Sequence, residues 1–326
     1  MKTEPTTINP VSLEDIRAAR DRIADSVIRT PLLPLNVDGA RIFLKLDNLQ
    51  PIGSFKLRGA GNAIALATPD QLAKGVFTAS AGNMAQGVAW HARRLGIPCT
   101  VVVPDHAPET KLAAITRLGA KFIKVPFDEW WQVIVTREYP GLDGLFVHPV
   151  SDPAVIAGNG TIGLEILEDL PDVDTVLVPY GGGGLSCGIA TALRALKPDT
   201  RIFACEVETS AALDAAWKAG TSTRIDYTPS FVDGIGSTSV LAEMWPLARS
   251  LLDGSIVVSV AEVAEAVRTL AERNRVIAEG AGATPVAAAL TGKAARDGSE
   301  SGKIVCVVSG GNIDFEKLAK IFRREI

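Results

Sequence analysis

The stretch Thr175-Val176-Leu177-Val178-Pro179-Tyr180-Gly181-Gly182-Gly183-Gly184-Leu185 decides the fold. Its first half is an apolar run without alternation, the pattern of a parallel strand covered on both faces. Its second half is a glycine loop opening the helical pattern Leu185–Leu196. Four consecutive glycines cost backbone entropy that a plain turn does not require. They let N–H groups converge on an anion at a helix N-terminus, and a phosphate is the ligand this suits.

Outward from this unit the same rhythm repeats. Strand-like runs fall at Arg41–Leu46, Gly75–Ala79, Cys99–Val103, Lys121–Val125, Leu145–His148, Arg201–Val207 and Lys303–Ser309. Helix-like stretches include Ala85–Leu95, Pro108–Leu118, Ala154–Leu170 and Val260–Glu279. Pro108-Glu109 opens one helix and Gly119 closes it, and Gly96 closes another. Strands alternating with helices predict a doubly wound α/β protein. The run Gly292–Gly302 reads as a solvated loop.

The 326 residues suffice for one large domain or two interlocked lobes. With 33 basic and 37 acidic side chains, there is no basic excess to attract nucleic acid or anionic lipid. Cys99, Cys187, Cys205 and Cys306 lie far apart, suggesting neither a disulfide framework nor a zinc knuckle. No apolar run reaches membrane-spanning length, and the polar start MKTEPTTINP lacks a signal-peptide core. A cytoplasmic enzyme with a small-molecule substrate is the expectation.

Three further segments follow strand-like runs, where α/β folds bind ligands. In Gly53-Ser54-Phe55-Lys56-Leu57-Arg58-Gly59-Ala60 a lysine stands at a loop-to-helix junction; in a dry pocket its amine becomes a nucleophile toward carbonyls. Ser80-Ala81-Gly82-Asn83-Met84-Ala85-Gln86-Gly87 offers free N–H groups for a carboxylate, with Ser80 or Asn83 as helix cap. Ser309-Gly310-Gly311-Asn312 ends the C-terminal strand, where a hydroxyl can bond a neutral ring nitrogen. Gly158–Gly163 matches GxGxxG, but it lies inside a helical pattern with no acidic partner about 20 positions on, so a dinucleotide site is not expected there. His91, His106 and His148 have no metal-ligand spacing and read as structural.

In this order and spacing, GSFKLRGA, SAGNMAQG, YGGGGL and SGGN resemble the fold type II pyridoxal-phosphate enzymes, in particular the threonine dehydratase and serine racemase group. The likeness runs from about Leu44 to Asn312. It implies two parallel-sheet lobes with the cofactor between them: a large one of residues 1–72 and 149–326, and a small mobile one of residues 73–148. By this resemblance Lys56 forms the Schiff base and serves as general base beside Phe55. Gly181, Gly182, Gly183, Gly184 and Leu185 hold the phosphate, Asn83 meets the ring hydroxyl, and Ser309 faces the ring nitrogen. Ser80, Ala81, Gly82, Asn83 and Met84 take the substrate carboxylate. A neutral Ser309 makes the ring a weak electron sink, which favours β-elimination over transamination.

Departures from the group narrow the expectation. Lys56-Leu57-Arg58 lacks the Lys-Asp-Arg of cysteine synthases. Ala81 stands where serine racemases carry a second serine, so racemisation should be weak. Glu206 matches the first metal ligand of the group, but Ala212 breaks the pattern six positions on; no metal is expected, with Glu208 as the substitute if one binds. The chain ends at Ile326, too soon after SGGN for the regulatory domain of biosynthetic threonine dehydratases. Members commonly form homodimers. Trp130 and Trp131 stand where members accepting small polar or acidic substrates carry Ser and Arg, so Trp131 is read as an apolar wall favouring an aromatic β-substituent such as L-threo-3-phenylserine, or else as packing. The alternative is a plain L-threonine/L-serine dehydratase, and serine racemase stands behind both.

Overall fold

The structure, a computed structural model, describes residues 8–294 and 302–326. Among them are ten strands: β1 Leu32–Pro34, β2 Ile42–Lys45, β3 Val76–Ala79, β4 Cys99–Pro104, β5 Lys121–Val125, β6 Leu145–Phe146, β7 Thr175–Pro179, β8 Arg201–Val207, β9 Gly254–Val258 and β10 Ile304–Val307. They form two sheets, one ordered β1-β2-β10-β7-β8-β9 and the other β5-β4-β3-β6. Every pairing is parallel except β1 with β2.

The unbroken apolar runs are explained by burial on both faces. Val176 and Val178 of β7, with Val305 and Val307 of β10, pack against the helices Pro153–Asp169 and Gly184–Leu196. Leu177 and Cys306 point the other way, onto the helix Gly280–Leu290. Each such side chain fully buried contributes about 1.5–3 kcal/mol. The smaller sheet has its own core, including Val101 and Val103, under the helix Asn83–Leu95.

The GxGxxG match is a packing device. A Cβ on Gly158 would lie 2.6 Å from the Arg58 carbonyl oxygen, and one on Gly160 2.8 Å from that of Gly188. These glycines bring Pro153–Asp169 against its neighbouring helices, and no loop or phosphate is involved.

Two expectations need correction. The span Val260–Glu279 is not one helix: α-helix covers Val260–Thr269, a π-helical turn covers Leu270–Asn274, and Arg275 at φ 60° ends it. The strand expected at Leu145–His148 stops at Phe146, because His148 begins a tight turn. Of the loop expected at Gly292–Gly302, residues 295–301 lie outside the described residues. No described helix is long and apolar enough to cross a membrane.

Candidate active site

The C-terminal ends of β3, β4, β7 and β10 converge on one cavity of about 600 Å³ between the two sheets. It is lined by Phe55, Lys56, Ser80, Ala81, Gly82, Asn83, Met84, Gly181 to Leu185, Ser309 and Trp131. Thus every residue that the sequence marks for cofactor or substrate sits on one surface.

Lys56 is the first residue of the helix Lys56–Ala65. The loop before it is clipped to the end of β10, where Phe55 N–H donates to the Ser309 carbonyl at 2.9 Å. Behind it, Arg58 is fully buried, bonding Asp47 through Nε at 2.8 Å and Glu165 through Nη1 at 2.6 Å. The Lys56 Nζ donates to the Pro149 carbonyl oxygen at 2.5 Å and lies 5.2 Å from the Phe55 ring centroid. Lys56 is partly buried and lines the cavity. Crowding by protein lowers its pKa to about 8, against a smaller opposing pull from Glu279.

One turn serves both the lysine and the glycine loop. His148 Nδ1 accepts from the N–H groups of Val150 at 3.0 Å and Ser151 at 2.8 Å. Burial, then the charges of Arg137 and Lys56, lower its pKa to about 3, so the ring is neutral. The turn presents the Pro149 carbonyl to Lys56 and wedges Val150 beneath the glycines. A Cβ on Gly182 would lie 2.5 Å from both Val150 methyl groups, and one on Gly184 2.6 Å from the Val150 carbonyl oxygen. Gly183, at φ +95°, adopts a left-handed conformation that side chains disfavour. No side chain caps the helix Gly184–Leu196, so its first N–H groups are left for a ligand.

At the opposite wall, Gly82 is the cap residue of Asn83–Leu95, and neither Ser80 nor Asn83 caps that helix. Ser80 Oγ instead accepts from the Gly82 N–H at 3.2 Å. Asn83 Nδ2 donates to Glu279 at 2.9 Å, and its Oδ1 accepts from Asn312 at 2.8 Å. Glu279 was missed by sequence reasoning, which placed it at the end of a helix. Its position ahead of a Gly-Ala-Gly-Ala run too apolar for a surface helix is the signal that could have found it.

Phe127, Trp130 and Trp131, from the helix Phe127–Thr136, form an aromatic row on the cavity wall, with centroids 5.5 and 6.4 Å apart. His106 extends the row and is exposed, so its structural reading is replaced by a place at the rim. His91 is structural, with Nε2 donating to the Leu57 carbonyl at 2.9 Å. Glu206 is a helix cap: its oxygens accept from the N–H groups of Leu213 and Asp214, both at 2.8 Å, and from Ser255 Oγ at 2.6 Å. Glu208 accepts from the Val260 N–H at 2.9 Å. Among the described residues no group of three or more His, Cys, Asp or Glu is arranged to hold a metal.

These features fit pyridoxal 5'-phosphate: a cradle with no room for a Cβ, an uncapped helix start and an amine whose proton is loosely held. Comparison with known proteins agrees. A family model described as pyridoxal-phosphate dependent enzyme matches residues 23–310. An L-threonine ammonia-lyase of Thermotoga maritima is 40% identical over 320 residues, 96% of this chain and 79% of its own. A catabolic L-threonine dehydratase, TdcB, of Staphylococcus aureus is 40% identical over 323 residues, 97% of this chain and 93% of its own. Maize serine racemase superposes with a TM-score of 0.88 at 34% identity, covering 97% of this chain and 98% of that one.

Proposed function

The chain belongs to the pyridoxal-phosphate dependent enzyme family, and on that premise we propose that it is an ammonia-lyase converting L-threonine or L-serine to the 2-oxo acid and ammonia. The observation that carries this is the Lys56 amine, lowered to about 8, beside the glycine cradle. The relatives named threonine ammonia-lyase and dehydratase support the substrate class.

Bound in the cleft, pyridoxal phosphate supplies an electron sink that loosens the α-hydrogen of an amino acid joined to it. Lys56 Nζ takes that proton, since a depressed pKa leaves a useful fraction of the amine neutral near pH 8. The N–H groups of Gly181 to Leu185 hold the phosphate, and Ser309 gives the ring nitrogen a neutral partner. Ser80, Ala81, Gly82, Asn83 and Met84 orient the substrate carboxylate. The β-hydroxyl leaves with a proton as water, and water then releases ammonia, so the net loss from threonine is one NH₃. Residues 1–72 with 149–326, and residues 73–148, act as two lobes that shut solvent out of the cleft.

A second reading is favoured by one observation. The aromatic row of Phe127, Trp130 and Trp131 lines the cavity, which suits an aromatic β-substituent such as that of L-threo-3-phenylserine. Measuring kcat/KM on L-threonine, L-serine and L-threo-3-phenylserine separates the readings. Threonine or serine ahead supports the first. Phenylserine ahead by about tenfold or more, roughly 1.4 kcal/mol, supports the second, and Trp131→Ala should then remove that lead.

A further inference from the structure

Glu279 has no part in the chemistry above, yet the fold makes room for its carboxyl at the back of the cavity. It precedes the helix Gly280–Leu290 without capping it through its side chain, and its N–H donates to the Gly310 carbonyl at 3.0 Å. A Cβ on Gly310 would lie 2.5 Å from Glu279 Oε1 and 3.3 Å from Asn83 Nδ2, so only glycine lets these two groups meet.

The carboxyl ends a directed chain of hydrogen bonds. Asn312 Nδ2 donates to the Ile52 carbonyl and to Asn83 Oδ1, each at 2.8 Å. A backbone carbonyl only accepts, so the amide of Asn312 has one possible orientation, and that of Asn83 follows. Asn83 Nδ2 must then point at Glu279, 2.9 Å away. The backbone of Asn312 also favours the charged form of the carboxyl. A carboxylate is the partner that an amide donor fixed in this direction favours.

We propose that Glu279 is a positioning residue whose ionised carboxylate fixes the Asn83 amide toward the cofactor and adjusts the charge on Lys56. This rests on the reading of Lys56 as the cofactor-bearing amine. The charged groups acting on this arrangement are Lys56 on its own helix, Lys111 on the helix Glu109–Arg117 and Asp233 in the turn Asp233–Ile235. Burial first, and Asp233 second, raise the Glu279 pKa to about 7, while Asn83, Lys111 and the Asn312 backbone pull it down. Glu279 in turn raises the pKa of Lys56.

The test uses Glu279→Gln and Asp233→Asn in the full-length protein. In wild type, kcat/KM should rise with pH through a limb near pH 7. Glu279→Gln should lose that limb and at least about tenfold of activity on its alkaline side. Asp233→Asn should move the limb to lower pH by removing a like charge. In cofactor-free protein, acylation of Lys56 by an amine-directed reagent, followed by peptide mass, should reach half-rate at lower pH in Glu279→Gln. An unchanged limb in Glu279→Gln, or an unmoved Lys56 acylation curve, overturns the inference. Should Glu279→Gln fail to fold, a limb that stays in place in Asp233→Asn overturns it. A wild type that takes up no pyridoxal phosphate at Lys56 refutes the underlying reading instead, and the acylation curves still decide the role of Glu279.

Discussion

The Nζ of Lys56 and the carbonyl oxygen of Pro149 are 2.5 Å apart, which ties the reactive amine to the turn that also supports the phosphate cradle. Pro149 lies between His148, whose Nδ1 accepts from the N–H groups of Val150 and Ser151, and Val150, which fills the space beneath Gly182 and Gly184. Disturbing either end of this turn should therefore be felt at the other.

Gly182→Ala places a methyl group 2.5 Å from both Val150 methyls. The overpacking should cost about 1–3 kcal/mol, seen as a weaker Kd for pyridoxal phosphate in an absorbance titration. Val150→Ala in the same chain should restore part of the affinity. Unchanged affinity in Gly182→Ala would remove the loop from the account of phosphate binding.

Arg58 carries no cofactor role and anchors the helix of Lys56 between Asp47 and Glu165. Arg58→Met leaves two buried carboxylates without their guanidinium, with only Lys45 still paired to Glu165. Urea unfolding should show a loss of about 3–5 kcal/mol. A change under about 1 kcal/mol would mean the network behaves like a surface pair.

His91 and His148 each contribute to the acid response of the cofactor-free protein. Burial lowers their pKa values to about 4 and about 3, against about 6.5 in an unfolded chain. Between those limits the unfolded state binds protons that the native state refuses. Their contribution is therefore intact above about pH 6.5 and is lost as pH falls toward 4 and 3, on the order of 3 kcal/mol for His91 and on the order of 5 kcal/mol for His148. His91→Gln keeps a donor for the Leu57 carbonyl and removes one titration, so its urea midpoint should fall less steeply from pH 7 to pH 4 than that of wild type. Parallel curves would contradict the assignment.

Much of this architecture is legible in the chain because parallel strands buried on both faces write continuous apolar runs. β7 and β10 are of this kind, and all their residues are buried. Edge strands write a weaker signal. β9 alternates buried and half-buried residues and begins at a glycine, and β1 ends on Pro34, where an edge position needs no N–H. The break at Arg275 was illegible because apolar spacing continues through Val276, while the backbone there turns left-handed. The same break conceals Glu279, since a glutamate in a helical pattern reads as a solvated side chain. Trp130 and Trp131 were legible as large apolar groups of uncertain address; the helix Phe127–Thr136 turns both to the cavity wall. Glu206 stood out in the chain only as a match to the first metal ligand of the group, because its helix-capping bonds depend on backbone that only the fold brings near.

The central claim is that Lys56 performs the chemistry of an ammonia-lyase in this cleft. The most direct test is to supply L-threonine to the protein loaded with pyridoxal phosphate, as wild type and as Lys56→Ala, and to quantify 2-oxobutanoate and ammonia. The account predicts equal amounts of both from wild type, and a rate at least about 10³-fold lower from Lys56→Ala. Equal rates from the two proteins, or no 2-oxo acid from wild type with threonine, serine or phenylserine, would contradict it.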